Sequence, residues 1–348
     1  MSEIEDGLGR PDESAAVAAA QAGDEAAFAG LVEPHRRELQ VHCYRILGSF
    51  EDSEDLVQET FLRAWRRRET FQGRSTFRAW LYRIATNACL DFLQRNPRQP
   101  RTRQAVPAGN PAAALAPATE IAWLQPYPDR LLEPIAPSDA EPDAIVVAKE
   151  TIELAFLAAV QHLPPQQRAV LILRDVLGWS AQETATLLEL TVPAVKSALQ
   201  RARPTMKQHL PQRRAEWSAA VDPSPQERAV LQRFIQASER ADMTALAALV
   251  REDAWQTMPP HPVWFPGRAA MLEMWAQAMT GPESWGDWRL LPTSANRQPA
   301  AANYFRPHGE STYRASNLDV LRIEDGLVAE VTTFGPEIFP AFGLSPTL

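Results

Sequence analysis

Apolar positions recur at helical spacing through the first hundred residues of this 348-residue chain. Asp24 stands as an N-cap ahead of Ala27, Phe28, Leu31 and Val32, and the stripe continues through Leu39, Cys43, Ile46 and Leu47 to Gly48. Residues three and four apart share a helix face, so this pattern predicts the interior of a helical bundle. Leu56, Phe61 and Trp65 mark a second amphipathic helix that opens on acids between Glu51 and Glu54. Phe77, Leu81, Ile84, Ala88 and Phe92 mark a third over Thr76 to Arg95, which Pro97 and Pro100 stop. Residues 1–20, acidic and then alanine-rich, read as a disordered tail.

Periodicity then lapses. From 99 to 142 prolines from Pro100 to Pro142 punctuate a mostly acidic stretch, which predicts a semi-rigid linker. Within it, IAWLQPYPDRLL, beginning at Ile121, is too aromatic for a spacer; it predicts docking, either on this protein's own domains or on a partner. Helical spacing returns at Ile145, Ile152, Phe156, Ala159 and Leu163. Pro164 and Pro165 open a helix carrying Val170, Leu171 and Leu173, and Gly178 ends it. Ser180 and Glu183 make a capping box for a helix to Leu188. After a turn at Glu189 to Thr191 comes a helix from Val192 to Met206, and this spacing is that of a helix-turn-helix. From Pro225 the order is helices first (Arg228 to Arg240, Met243 to Leu249, Arg268 to Met279), then two strands joined at Asp325-Gly326. That order predicts an α+β domain with helices on one side of a curved antiparallel sheet.

Charge sharpens the picture. The formal net charge is −8, yet from Arg63 to Arg103 eleven arginines face only Glu69 and Asp91, with Trp65, Phe71, Phe77, Trp80, Tyr82 and Phe92 between them. Cations hold phosphates and flat rings stack on exposed bases, so the mixture suits opened nucleic acid; a solvated basic face is the bland alternative. Lys196, Arg201, Arg203, Lys207, Arg213 and Arg214 form a second basic run without an acid between them. Beyond Pro225 fourteen acids outnumber ten arginines, which argues against another nucleic-acid module. Cys43 and Cys89 lie in apolar patterns without metal-ligand spacing; buried reduced thiols and a cytoplasmic setting are expected, and no metal or cofactor is implied. No run of 18 apolar residues predicts membrane insertion, and Glu3, Glu5 and Asp6 do not suit a signal peptide.

The segments DLVQETFLRAW and STFRAWLYRIATNACLDFLQR resemble region 2 of the extracytoplasmic-function (ECF) sigma factors of bacterial RNA polymerase. SALQRAR, in the helix-turn-helix, resembles region 4 of the same family. ADMTALAALVREDAWQTMPP and the hairpin resemble a SnoaL-like (NTF2-like) domain, which some ECF subgroups carry at their C-terminus and which is associated there with control of sigma activity. The resemblance implies a multidomain fold of two all-α domains and an α+β cone. The boundaries would be 21–98 for region 2, 99–142 for the linker, 143–214 for region 4, 215–224 for a second linker and 225–348 for the SnoaL-like domain.

It also implies roles. Asp55, Leu56, Gln58, Glu59, Phe61 and Trp65 would dock on the β′ and β subunits of core polymerase, the apolar three as anchor and the others as polar rim. Phe71, Arg74, Ser75, Thr76, Phe77, Trp80, Arg83 and Asn87 would capture and read the minus-ten element. Asn87 has the paired donor and acceptor that a base edge requires, and a helix-interior hydrogen bond is its alternative. Lys196, Ser197, Gln200, Arg201 and Arg203 would hold the minus-thirty-five element. In the C-terminal domain Asp253, Trp255, His261 and Trp264 are candidates for a pocket for a small ligand, with a packed core as the alternative. No catalytic pair stands out. The expected function is transcription initiation at two-element promoters, with the C-terminal domain, an anti-sigma protein or a small ligand as regulators. The rivals are a SnoaL-like cyclase or isomerase fused to a DNA-binding module and a ligand-sensing helix-turn-helix regulator.

Overall fold

The computed structural model describes residues 11–98, 100–102, 119–132, 152–210 and 223–348. The chain divides into two compact units. One comprises Met1–Arg98, Glu141–Thr151 and Ala155–Ala215; the other comprises Gln99–Ala140, Ile152–Leu154 and Glu216–Leu348.

The first unit begins with α1 (Pro11–Gln21), α2 (Glu25–Val32), α3 (Arg36–Leu47), α4 (Phe50–Arg66) and α5 (Phe77–Arg95). Caps set the boundaries. Asp24 accepts from Ala27 N at 3.0 Å, Ser49 from Asp52 N at 3.3 Å and Thr76 from Ala79 N at 3.2 Å. α3 ends at Gly48 in the left-handed conformation (φ 71°), where a Cβ would also lie 3.1 Å from the Gln161 amide. The expected interior forms: Leu39, Cys43, Ile46, Leu47, Leu81 and Ala88 are buried, and both thiols are free and buried. The alanine-rich stretch departs from expectation. Pro11–Gln21 is helix rather than tail, because alanine has the lowest helical cost of any residue and Ala20 packs fully inside. The expected tail's first ten residues lie outside the described residues, as does Ile145.

From Ala155 the same unit continues with α6 (Leu154–Gln161), whose first residue belongs to the other unit, then α7 (Pro165–Leu171, extended by a π-helical turn over Ile172–Val176), α8 (Ala181–Leu188) and α9 (Val192–His209). The capping box of Ser180 and Glu183 is present, and Glu189 closes α8 at φ 55°. These helices pack on the bundle. The Arg168 side chain reaches Ile46 O at 2.6 Å, and Trp179 lies against Tyr82 at 5.5 Å between ring centroids.

The second unit is a six-stranded sheet in the order β4-β3-β8-β7-β6-β5. Its strands are β3 (Val250–Met258), β4 (His261–Pro266), β5 (Asp287–Ala295), β6 (Gln298–Arg306), β7 (Arg314–Glu324) and β8 (Leu327–Phe334). Neighbours are antiparallel except β3 and β8, which run parallel. A short ladder of β1 (Arg101–Thr102) and β2 (Thr119–Glu120) precedes it in the chain. One face of the large sheet packs with α10 (Pro225–Glu239), α11 (Met243–Leu249) and α12 (Gly267–Met279) around a core that includes Phe234, Leu246, Met271, Trp275, Leu321 and Val331. The hairpin at Asp325-Gly326 forms as expected, both residues at positive φ.

A second tight hairpin joins β5 to β6 through Asn296 (φ 56°) and Arg297 (φ 60°). This turn receives the aromatic part of the linker. Tyr127 N donates to Asn296 Oδ1 at 2.8 Å, and Asn296 N returns a bond to Tyr127 O at 3.0 Å. Asn296 Nδ2 donates to Ile152 O at 2.6 Å, and Arg297 N to Asp129 Oδ1 at 2.8 Å. Ile121, Leu124 and Tyr127 are buried. Of the two docking alternatives open in the sequence, the structure shows the segment on the protein's own C-terminal unit.

One buried group makes the first unit sensitive to acid. His42 is fully buried between α3 and α5, with Nε2 2.8 Å from Thr86 Oγ1. Burial first, then the nearby Arg45 and Arg78 charges, lower its pKa from 6.5 to about 3, against a smaller opposing effect of Glu38. The folded state therefore keeps His42 neutral while the unfolded chain takes a proton below 6.5, so this contribution to stability is lost as pH falls. The expected slope is at most about 1.4 kcal/mol per pH unit. Denaturant titrations at a series of pH values should show it, and His42→Gln should flatten it.

Candidate nucleic-acid interface

The loop between α4 and α5 is built on an aromatic triple. Phe71, Phe77 and Trp80 have centroids 5.4 to 5.5 Å apart. Gly73 turns the loop at φ 66°, and Arg74, Ser75 and Thr76 stand exposed beyond it. Two expected base contacts have structural work instead. Phe77 is buried at the foot of the triple, because it opens the core-facing stripe of α5, and the Thr76 hydroxyl oxygen caps that helix. Trp80, Arg83 and Asn87 follow along one face of α5, Arg83 exposed and the other two half-buried.

The basic run is divided between internal and outward duties. Arg78 pairs with Glu38 at 2.8 Å, Arg63 with both Glu59 and Asp91 at 2.7 Å, and Arg98 with Asp52 at 2.6 Å. Arg83 is held by Glu189, the residue that turns α8 into α9. Arg66, Arg67 and Arg74 are exposed.

On α4 the outward stripe is Glu51, Asp55, Gln58 and Leu62. Leu62 is 52% exposed, a placement that was not expected. The spacing 55-58-62 carries the signal that finds it. The expected anchor is placed differently. Leu56 is buried with Val57 and Thr60 in the bundle, and Trp65 packs edge-on against Phe28 at 5.1 Å beneath the Arg68 guanidinium. Phe61 is half-buried under Arg36, and Glu59 is engaged with Arg63.

α9 buries Val195, Ala198, Leu199 and Ala202 and exposes Lys196, Gln200, Arg201 and Arg203. Ser197 accepts from Arg201 Nη1 at 2.7 Å, and Asp175 grips Arg203 through two bonds of 2.9 and 3.1 Å. Lys196, Gln200, Arg203, Pro204 and Lys207 border one open groove. Pro204 has no N–H for the Gln200 carbonyl one turn back, so that acceptor lacks its ordinary helical donor.

The four candidate pocket residues of the C-terminal unit do not converge. Asp253 is exposed and paired with Arg251, and His261 is exposed. Trp255 lies under the Arg322 guanidinium at 5.1 Å. Trp264, opposite Thr257 in the ladder, lies on the sheet face away from Gln256, which bonds the helix residue Trp275 at 2.8 Å. The polar groups gathered on the helix-covered face are others. Asp319 accepts from Asn303 at 2.6 Å, Thr333 at 2.6 Å and Asn317 at 2.9 Å, and Gln256 donates to Thr333 at 2.8 Å. Burial raises the Asp319 pKa, against these three donors. Among the described residues no His, Cys, Asp and Glu group could hold a metal ion, and no helix is long and apolar enough to cross a membrane.

Comparison with known proteins agrees with this division. Residues 31–99 match Sigma-70 region 2, residues 153–206 match Sigma-70 region 4, and residues 231–331 match the SnoaL-like domain. The ECF RNA polymerase sigma factor SigG of Mycobacterium tuberculosis is 42% identical over 323 residues, covering 92% of this chain and 85% of SigG. SigW of Bacillus subtilis, also an ECF sigma factor, is 31% identical over 188 residues, covering 54% of this chain and 91% of SigW. The crystal structure of the extracytoplasmic-function sigma factor SigJ of Mycobacterium tuberculosis shares the fold, with a TM-score of 0.57 at 20% identity over 92% of this chain and 99% of SigJ. With similarity sustained over nearly its whole length, the chain belongs to the ECF RNA polymerase sigma factors, in the form that carries a SnoaL-like domain after region 4.

Proposed function

We propose that the three parts divide the work of initiation at boundaries near 21–98, 143–214 and 225–348. The stripe of Glu51, Asp55, Gln58 and Leu62 docks on core polymerase, Leu62 taking the anchoring role expected of Leu56 and Trp65. Arg74, Ser75, Trp80, Arg83 and Asn87 receive the opened minus-ten strand. Lys196, Gln200 and Arg201 read or hold the minus-thirty-five element, with Ser197 and Asp175 orienting Arg201 and Arg203. The chain performs no chemistry of its own and acts in the cytoplasm, on core polymerase and promoter DNA. One observation carries this reading: α9 exposes Lys196, Gln200 and Arg201 while its other side is packed, which is what a recognition helix needs.

The C-terminal unit regulates. Its support is the linker: the segment that must connect regions 2 and 4 is held at its middle by Asn296 and Arg297. A small ligand or an anti-sigma protein that shifts this hold would alter the reach between the two promoter-binding regions. Run-off transcription with purified core polymerase, on templates recovered from a polymerase-bound genomic pull-down, tests both parts. Core-dependent transcripts are expected from the full chain and from a version ending near Arg214, at different levels. Equal levels would remove the regulatory role, and no transcript from either would remove the initiation role.

Two substitutions address the binding faces. Lys196→Ala and Arg201→Ala should each weaken holoenzyme binding to duplex promoter; for a residue on phosphate, the slope of log affinity against log salt should fall by about 1. Glu189→Ala frees Arg83 from an exposed ion pair worth at most about 1 kcal/mol. Permanganate footprinting should therefore show promoter opening raised by no more than about fivefold.

A further inference from the structure

None of the contacts proposed above involves α1, yet α1 lies at the entry to the minus-ten loop. Gln21, its last residue, donates through Nε2 to two backbone carbonyls, Phe71 O at 2.7 Å and Arg68 O at 3.2 Å. Those carbonyls bracket the 3-10 turn (Arg68–Thr70) that leads from α4 into the loop. A primary amide has two N–H groups, and this one spends them on the two ends of a single turn. Val17 and Ala20 of α1 close a small hollow against Phe71, Phe77 and Trp80, so the same helix also backs the aromatic triple.

The backbone beyond Phe71 gives the contact its weight. Among the described residues, it forms no turn or cap hydrogen bond from Phe71 O until Thr76 O, which accepts from Trp80 N at 3.1 Å. Between those points Gly73 takes a left-handed turn, and Arg74 and Ser75 are exposed. The Gln21 amide is thus the last fixed point before the part of the loop that meets DNA. A loop held in its binding shape beforehand loses less conformational freedom when a strand binds.

We infer that Gln21 is a positioning residue for minus-ten recognition, its amide fixing the entry of the loop so that the base-receiving surface is formed before DNA arrives. This rests on the assignment of residues 71–87 to the minus-ten strand. Gln21→Glu has nearly the same shape but presents carboxylate oxygens to two carbonyls. Gln21→Met keeps the bulk and removes the donors. Gln21→Lys keeps donors at similar reach.

The test uses holoenzyme reconstituted from core polymerase and the full chain. A fluorescent single-stranded oligonucleotide carrying the non-template minus-ten sequence of a recovered promoter measures capture. Core affinity and the thermal midpoint are measured alongside. Gln21→Met should weaken oligonucleotide binding roughly three- to tenfold, the effect of losing one or two ordinary hydrogen bonds. Gln21→Glu should weaken it further, and Gln21→Lys should recover most of the loss, with core affinity unchanged throughout. Oligonucleotide binding unchanged in both Gln21→Glu and Gln21→Met would overturn the inference. So would losses matched by equal losses in core affinity, since that would be general damage to the fold. Arg74→Ala separates the two levels. If it weakens capture and the Gln21 variants do not, only the inference fails; if Arg74→Ala also leaves capture unchanged, the loop assignment beneath it fails.

Discussion

The first unit depends on one buried cation. Arg168 is 2% exposed and donates to the Ile46 carbonyl, to the Gln161 side chain and carbonyl, and to the Leu163 carbonyl, at 2.6 to 3.1 Å. Among the described residues no carboxylate pairs with it. Its partners sit at the C-terminal ends of α3 and α6, where unpaired carbonyls leave partial negative charge. Burial lowers its pKa to about 9, so the guanidinium is still charged at neutral pH. One side chain therefore satisfies the ends of two helices from distant parts of the sequence, and in doing so joins region 2 to region 4. Gly48 is a consequence of that junction, because a side chain there would press on the Gln161 amide that Arg168 holds.

The basic surfaces of the first unit are organised by the same economy of charge. A run of arginines could repel itself open; here Arg63, Arg78 and Arg98 are absorbed by carboxylates on neighbouring helices and fasten the bundle. Of the others, Arg66, Arg67 and Arg74 stand exposed at the end of α4 and in the loop after it, while Arg83 and Arg95 are exposed along α5. Arg203 is steered by Asp175 in the same way, so its guanidinium is presented at a fixed angle beside Lys196 and Gln200. Ion pairs of this exposed kind contribute little stability, and their value lies in orientation.

Much of this was legible in the sequence because local chemistry decided it. Capping residues placed the starts of α2 and α8, Gly48 the end of α3, and Asp325-Gly326 the last hairpin. Where tertiary packing decides, the sequence was silent or misleading. Alanines of α1 carry no amphipathic signal, so a helix looked like a tail. Leu56 and Leu62 are alike as letters, and the rotation of α4 in the bundle, marked in the sequence only by the polar positions 55 and 58, turns one inward and the other out. The turn at Asn296-Arg297 lacks glycine, which hid the strands on either side of it. The polar cluster around Asp319 draws on four strands, and no spacing within one strand reveals it.

The linker's receptor lies far downstream of the linker itself: Asn296 is 169 residues beyond Tyr127. During synthesis regions 2 and 4 and the segment between them leave the ribosome while the sheet that will hold that segment does not yet exist. At ordinary elongation rates the 169 residues from Tyr127 to Asn296 take roughly ten to thirty seconds to make. Every molecule therefore passes, once, through a stage in which regions 2 and 4 are present with their tether unclaimed. Chain termination or cleavage before β5 would make that stage permanent.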